Sequence, residues 1–283
     1  GLCDEAQVDP LGSLLCVKRG RPDDGAAVRR VLLAAHMDEI GFYVSHIDDK
    51  GFVWINPAGG FDVRNLFSRR VLVCTAEGDL VGGLTAGGRP VHIATEEEKR
   101  KIPEISEFFV DLGLPAETVK ARVKIGDYVV MHEPFVETDD KIMSKALDNR
   151  IACFLGIELL RNLEGTELPF DLHVAFTVQE EVGLRGAQTA AHHLDAQIGI
   201  GLDTTLACDT PGINDTQAVT RHGDGVGIMV QDSTMIADHG LVETCCAVAE
   251  AKEIPYQRCI LRRGPVRRDR DRDAVHPYDQ RVH

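Results

Sequence analysis

No run of about 18 apolar residues occurs anywhere in the 283-residue chain, so no membrane-spanning helix is expected. The opening, GLCDEAQVDP, lacks a basic start followed by an apolar stretch, and no secretory leader is read there. Positive charge is scarce: 31 Lys and Arg stand against 45 Asp and Glu, for a net charge of -14. That balance argues against nucleic acid and anionic membrane surfaces as partners. Eight cysteines, at 3, 16, 74, 153, 208, 245, 246 and 259, form no CxxC pair. Most sit in apolar segments, as buried free thiols of a reducing cytoplasm do, and a disulfide framework is not expected in a chain of this size.

What is present is a soluble globular composition, 43% hydrophobic and 27% charged, over a length sufficient for one large domain or two ordinary ones. The run VRRVLLAAHMDEIGFYVSHID reads as a strand from Val31 to Ala35, a polar turn, and an alternating strand from Ile40 to Ile47. From there to about Pro134 the texture changes. Short β-type runs (GFVWI, RRVLVCT, DLVGGLT, DYVVMHEPF) alternate with Gly-rich turns, and only TEEEKRKIPEISEFFVDLGL looks partly helical. Beyond this module, DNRIACFLGIELLRNL carries apolar residues at helical spacing and FDLHVAFTVQ reads as a buried strand. GLRGAQTAAHHL is a predicted helix, AQIGIGLDTT a strand, HGLVETCCAVAEAKEI a helix and YQRCIL a final strand. Strands alternating with helices predict an α/β fold, a mostly parallel sheet covered by helices on both faces. The predicted organisation is an α/β domain made of residues 1–45 and 134–261, interrupted by a small β-barrel-like domain over 46–133.

Open α/β sheets place their sites at the carboxyl ends of strands. His36 and Asp38 follow VLLAA, Asp148 opens the helix after KIMSKAL, Glu180 and Glu181 close HVAFTV, and Asp203 closes IGIGL. Singly, each has a plain structural reading: Asp148 as a helix N-cap, Asp203 as a turn residue, the glutamates as solvated surface. Four such coincidences at strand ends favour one shared site. Imidazole and carboxylate are the ligands expected of a divalent metal when no thiolates converge. In His-x-Asp the carboxylate can reach the far ring nitrogen and fix the tautomer. A carboxylate such as Asp148 can bridge two metals about 3.5–4 Å apart, and such a site needs a general base that is not itself a ligand. Of two glutamates at a strand end, one can bind metal while the other moves the proton.

The motifs AAHMDEIG, KALDNR, VQEEVGLRGA and DTTLACDTPG, in that order, resemble the dinuclear metallopeptidases called glutamyl or tetrahedral aminopeptidases, some of which carry the names cellulase or endoglucanase. The likeness runs from about Asp9 to Leu261 and includes KIGDYVV, QDSTMIADHGLV and EIPYQ. It implies a zinc-exopeptidase-like fold and hydrolysis of N-terminal residues from peptides, through water activated by two divalent metal ions, zinc or cobalt. Carried over by position, it implies His36 and Asp203 on one metal, Asp148 bridging, Glu181 on the second metal, Glu180 as general base and Asp38 orienting His36. It also implies a cytoplasmic homo-oligomer, from dimer to dodecamer, assembled through the inserted domain. A related metal-dependent deacylase or carboxypeptidase, a glycoside hydrolase and an inactive fragment are the alternative readings.

The pattern breaks after Leu261. Residues 262–283, RRGPVRRDRDRDAVHPYDQRVH, replace the family's continuation with an Arg/Asp-rich tail. From Arg258 onward eight Arg face four Asp, a composition of solvated, disordered chain. The family's late histidine ligand has no match, since His276 and His283 stand in a different context, and the opening helix before VDPLGSLLCVKRG is also missing. One explanation of such a tail is a one-base slip of the reading frame, and the coding DNA read in all three frames tests it. On this reading the second metal site is weakened and the chain is a poor enzyme.

Overall fold

The computed structural model describes residues 1–22 and 27–261; the Arg/Asp tail, with His276 and His283, lies outside the described residues. Two compact units result, Gly1–Leu202 and a second beginning at Asp203.

The first unit opens with strands β1 (Glu5–Val8), β2 (Leu14–Lys18) and β3 (Arg29–His36). A barrel follows: β4 (Gly41–Ile47), β5 (Val53–Ala58), β6 (Arg69–Cys74), β7 (Leu80–Ala86), the short helix α1 (Glu96–Arg100), β8 (Phe108–Asp111), helix α2 (Ala116–Arg122) and β9 (Tyr128–Met131). The hairpin β10 (Val136–Glu137) and β11 (Ile142–Met143) leads into α3 (Leu147–Asn162). Strand β12 (Phe170–Thr177), helix α4 (Arg185–Leu194) and strand β13 (Ile198–Gly201) complete the unit. The second unit holds β14 (Val226–Gln231), α5 (His239–Ala251) and β15 (Tyr256–Ile260), with β14 and β15 paired in parallel. Asp238 caps α5 by accepting the Leu241 N–H at 2.8 Å.

The main sheet has the order β1-β2-β12-β3-β13. Its β12-β3-β13 portion is parallel, as alternating strands and helices require, and β1 and β2 extend it in antiparallel sense. Strand β12 is buried along nearly all of its length, its polar Asp171, His173 and Thr177 included, as a central strand covered on both faces is. Its side chains divide between two layers. Leu172, Val174 and Phe176 pack with Leu33 and Leu160 in one core, while Ala175 packs with Leu15, Leu32 and Ala190 of α4 in the other. The unforeseen β2 belongs to both layers, through Cys16 on one side and Leu15 on the other.

Six antiparallel strands close the barrel in the order β4-β5-β8-β7-β6-β9. Period-2 alternation turns Phe42 and Val44, Val53 and Ile55, Val71 and Val73, and Phe108 and Val110 inward. Each such side chain contributes roughly 1.5–3 kcal/mol by leaving water. The helical part of TEEEKRKIPEISEFFVDLGL is α1, where Thr95 and Glu98 form a capping box, and a single 3-10 turn at Ile105–Glu107. Pro103 interrupts the helical pattern, and Phe108 and Val110 then fill the barrel from a strand. Because β4 is a barrel strand, the barrel begins at Gly41 and ends at Met131. Among the described residues no helix is long and apolar enough to cross a membrane.

Candidate metal centre

Strands β3 and β12 lie side by side in parallel, with Thr177 opposite His36 at their shared carboxyl end. The Met37 N–H donates to the Thr177 carbonyl at 2.8 Å, so the two chains leave the sheet together. The β12 chain then turns sharply. Gln179 has φ +58°, and the Glu180 carbonyl accepts N–H groups from Gly183 and Leu184, each at 2.9 Å. That turn carries Glu180 and Glu181 back over the end of β3. Ligand atoms of His36, Glu180 and Glu181 all lie within 4.8 Å of one another.

His36 is buried at 3% exposure, and its ring is gripped from both sides. Nδ1 lies 3.1 Å from the Asp38 carbonyl and 3.5 Å from the Asp38 Oδ1. Nε2 lies 3.0 Å from Asp148 Oδ1 and 3.8 Å from Glu180 Oε2. Asp38 also performs a task that sequence reasoning missed: its two carboxylate oxygens accept the backbone N–H of Glu180 at 3.2 Å and of Glu181 at 3.3 Å. Burial pushes the Asp38 carboxyl upward, but the hydrogen bonds from His36 and from the two backbone N–H groups outweigh it and hold Asp38 below its ordinary value.

Asp148 stands at the entrance to α3, where it and Asn149 have non-helical dihedrals. Its carboxylate is directed at His36, and α3 has no side-chain cap at its start. Asn149, fully buried, donates from Nδ2 to the Leu202 carbonyl at 2.8 Å and so ties the start of α3 to the end of β13. Asp203 is the first residue of the second unit, and its Oδ1 accepts the Thr204 N–H at 2.7 Å, the bond of a turn residue.

Around this centre runs a network that the sequence did not announce. Glu39 accepts two hydrogen bonds from Lys145 Nζ, at 2.7 and 3.0 Å, and its backbone carbonyl accepts the Tyr128 hydroxyl at 2.7 Å. Arg150 Nε donates to the Met37 carbonyl at 2.6 Å, and the Cys153 thiol donates to the His36 carbonyl at 3.2 Å. These bonds fasten the His36–Glu39 segment to α3 and to barrel strand β9. The only advance signal was the acidic cluster in HMDE.

The donor set has the chemistry of a cation site. Burial, followed by the neighbouring charges of Asp148 and Glu180, pushes the Glu181 carboxyl up to about 7. Several carboxylates facing one another beside an imidazole are stabilised by a divalent cation, which takes oxygen and nitrogen donors together.

An α/β sheet with carboxylates and a histidine gathered at its strand ends, interrupted by a closed β-barrel, is the frame of a hydrolase with a candidate cation site. The chain matches the family described as M42 glutamyl aminopeptidase over residues 12–266 and belongs to that family. It is 32% identical over 264 residues to the glutamyl aminopeptidase of Lactococcus lactis subsp. cremoris, a match covering 92% of this chain and 72% of that protein. The structure of a TET aminopeptidase from the marine sediment archaeon Thaumarchaeota archaeon SCGC AB-539-E09 superposes with a TM-score of 0.86 at 36% identity, covering 94% of this chain and 74% of the other. The Pyrococcus horikoshii TET1 peptidase, which can assemble into a tetrahedron or a large octahedral shell, superposes with a TM-score of 0.79 at 30% identity, over 92% and 75% of the two chains. These relatives are aminopeptidases, and thus hydrolases of peptide bonds.

Proposed function

We propose that the chain is a metal-dependent aminopeptidase that removes N-terminal residues from peptides, with His36, Asp148 and Glu181 as metal ligands and Glu180 as general base. The observation that carries this reading is the convergence of His36, Glu180 and Glu181 ligand atoms within 4.8 Å at the shared end of β3 and β12. The family resemblance adds Asp203 as a ligand and two zinc or cobalt ions as the cofactor. Such ions, when bound, polarise the scissile carbonyl and acidify water.

The protein's own groups do the rest. Glu180 takes the proton from the attacking water at a carboxylate oxygen and delivers it to the leaving amine nitrogen. Asp38 holds the His36 ring through Nδ1 and, by accepting the two backbone N–H groups, fixes where both glutamates point. Glu39 and Lys145 keep the segment that carries Asp38 in register with the start of α3.

Two substitutions test the division of labour. Glu180→Gln in the full chain is expected to keep metal binding and lose hydrolysis of an aminoacyl p-nitroanilide by at least about 100-fold. Glu181→Gln is expected to lose metal affinity as well. Unchanged hydrolysis by the Glu180 variant would sink the base assignment. Loss of hydrolysis on adding a strong chelator would argue against carboxylate chemistry of the glycosidase kind.

We assign to the barrel the role of joining subunits into a homo-oligomer. Two features support it: the assembly of the TET1 peptidase, and the large apolar side chains Val91, Ile93 and Ile102 exposed on the barrel module. A reducing cytoplasm is the compartment that suits the eight cysteines, all of them free thiols.

A further inference from the structure

Beside the centre lies an open cleft of about 740 Å³ within the first unit, reaching from Asp148 and Glu181 to Arg69 at the start of β6 and Glu133 just past the end of β9. We propose that this cleft receives the part of the peptide that follows the scissile bond, and that it selects an apolar side chain there. The inference rests on the aminopeptidase reading for the direction of the peptide and on the cleft's own walls for its preference.

Apolar side chains supply much of the cleft's surface, between charged residues, and are held in place. Ile40, Phe61, Leu66, Met131, Val136 and Met143 line the cleft. Phe61 stacks on Phe42 of the barrel core with ring centroids 4.3 Å apart, and Leu66 is itself buried in that core. The β10–β11 hairpin adds Val136 and Met143 to the lining, 39% and 54% exposed. Large apolar side chains left facing water beside a polar centre lose that exposure when an apolar ligand side chain lies against them.

The two cations on the lining are matched by acids that also line it: Lys145 by Glu39 at 2.7 Å, Arg69 by Glu133 at 3.3 Å. The acids of the lining are engaged as well: Asp62 is paired with Arg64, and Asp148 and Glu181 belong to the centre itself. An acidic or basic side chain entering the cleft gains no unpaired partner from these groups, whereas a leucine or phenylalanine buries surface against the apolar part of the lining.

The direction follows from what an exopeptidase must accommodate. Removal of one N-terminal residue leaves a single side chain before the scissile bond and the whole remaining peptide after it. A cleft of this volume lies in the range, roughly 300–1,000 Å³, that buries a multi-group ligand rather than one side chain. It is also open to solvent, as a site for a continuing chain has to be. Next to Gly60 of the lining, the chain leaving β5 comes close to the centre: a Cβ on Gly59, at φ +95°, would stand 2.5 Å from Ile40 Cγ2 and 3.4 Å from Glu181 Cβ.

The five methionines of the chain make the cleft observable, because Met131 and Met143 line it and Met229 and Met235 do not. The Glu180→Gln chain, labelled with ¹³C at the methionine methyls, is titrated with Ala-Leu-Ala and with Leu-Ala-Ala. The expected result is movement of the Met131 and Met143 resonances with Ala-Leu-Ala, at concentrations where Leu-Ala-Ala leaves them in place and where Met229 and Met235 stay still. In the otherwise unaltered chain, Val136→Ser with Met143→Ser is expected to lower the ratio of kcat/KM for Ala-Leu-Ala over Ala-Ala-Ala by about tenfold. Still resonances, an equal response to Leu-Ala-Ala, or an equal loss on both substrates would overturn the proposal. Methyl movement in the Glu180→Gln chain, with neither peptide hydrolysed by the unaltered chain, would uphold the cleft and reject the aminopeptidase reading. Hydrolysis with unmoved methyls would do the reverse.

Discussion

Oδ1 of Asp38 lies 3.2 Å from the backbone nitrogen of Glu180, so an aspartate two residues beyond His36 holds the chain that carries the glutamate pair 142 residues later. The second oxygen holds Glu181 in the same way at 3.3 Å. One carboxylate therefore positions the histidine and both glutamates, and like-charged neighbours are kept together by backbone hydrogen bonds that their side chains do not supply.

Asp38→Asn tests this arrangement. An amide can accept only through its single oxygen, so one of the two N–H groups loses its partner and the Glu180–Glu181 turn is freed. Metal affinity is expected to fall about 10–100-fold, the cost of losing a group that orients ligands. Competition against a chromophoric chelator measures it, with circular dichroism as the check on folding. Unchanged affinity would show that the turn holds itself.

Glu181 leads to a prediction about protons. Its carboxyl, pushed up to about 7, binds a proton at pH 6 in the metal-free protein, and a ligand carboxylate must give that proton up. Calorimetric titration with zinc at pH 6, in buffers of different ionisation enthalpy, is expected to release more protons from the unaltered chain than from Glu181→Gln. The difference approaches one proton at pH 6 and fades by pH 8, where the carboxyl is already ionised. A difference that does not change with pH would contradict the assignment.

Much of this centre was legible in the sequence, for physical reasons. Apolar runs mark buried strands, and polar residues that interrupt them at strand ends must serve either a turn or a site, which exposed His36, Asp148 and the glutamates to view. The hydrogen bonds that hold them were not legible. Lys145 and Glu39 are 106 residues apart, and nothing local in either segment requires a partner. Strand β8 was hidden for a related reason: Phe108 and Val110 alternate for only four residues after a charged, helix-forming stretch, and their strand character comes from the barrel they close. Strand β2 is likewise short and is defined by its place between β1 and β12.

His173 bears on stability and not on the centre. It lies in the middle of β12 at 4% exposure, with neither ring nitrogen hydrogen bonded. Burial pushes it below its ordinary value of 6.5, only partly offset by Asp171. The folded protein therefore keeps the ring neutral while the unfolded chain binds a proton below pH 6.5, so this group leaves stability intact above that pH and erodes it as pH falls. His173→Leu removes both the unsatisfied polar atoms and the titration. Urea unfolding is expected to show a gain of about 1 kcal/mol at pH 7 and a flatter decline between pH 7 and 5. A steeper decline in the variant would mean that the ring has a partner in the folded state.

Gly186 opens α4 directly behind the glutamate turn, and its N–H donates to the Val178 carbonyl at 3.0 Å. A Cβ there would stand 2.4 Å from that carbonyl oxygen, 2.7 Å from the Val178 nitrogen and 2.9 Å from Ser13 Oγ. Two of these are backbone atoms of the chain that carries Glu180 and Glu181, so relief requires the turn itself to move. Gly186→Ala is expected to destabilise the protein by about 3 kcal/mol and to weaken metal binding in the fraction that still folds. Gly83 of β7 has open space where its Cβ would be, and Gly83→Ala serves as the control, expected to change stability by less than about 0.5 kcal/mol. Equal stability of the two variants would show that the close approach of α4 to Val178 does not set the position of the glutamate pair.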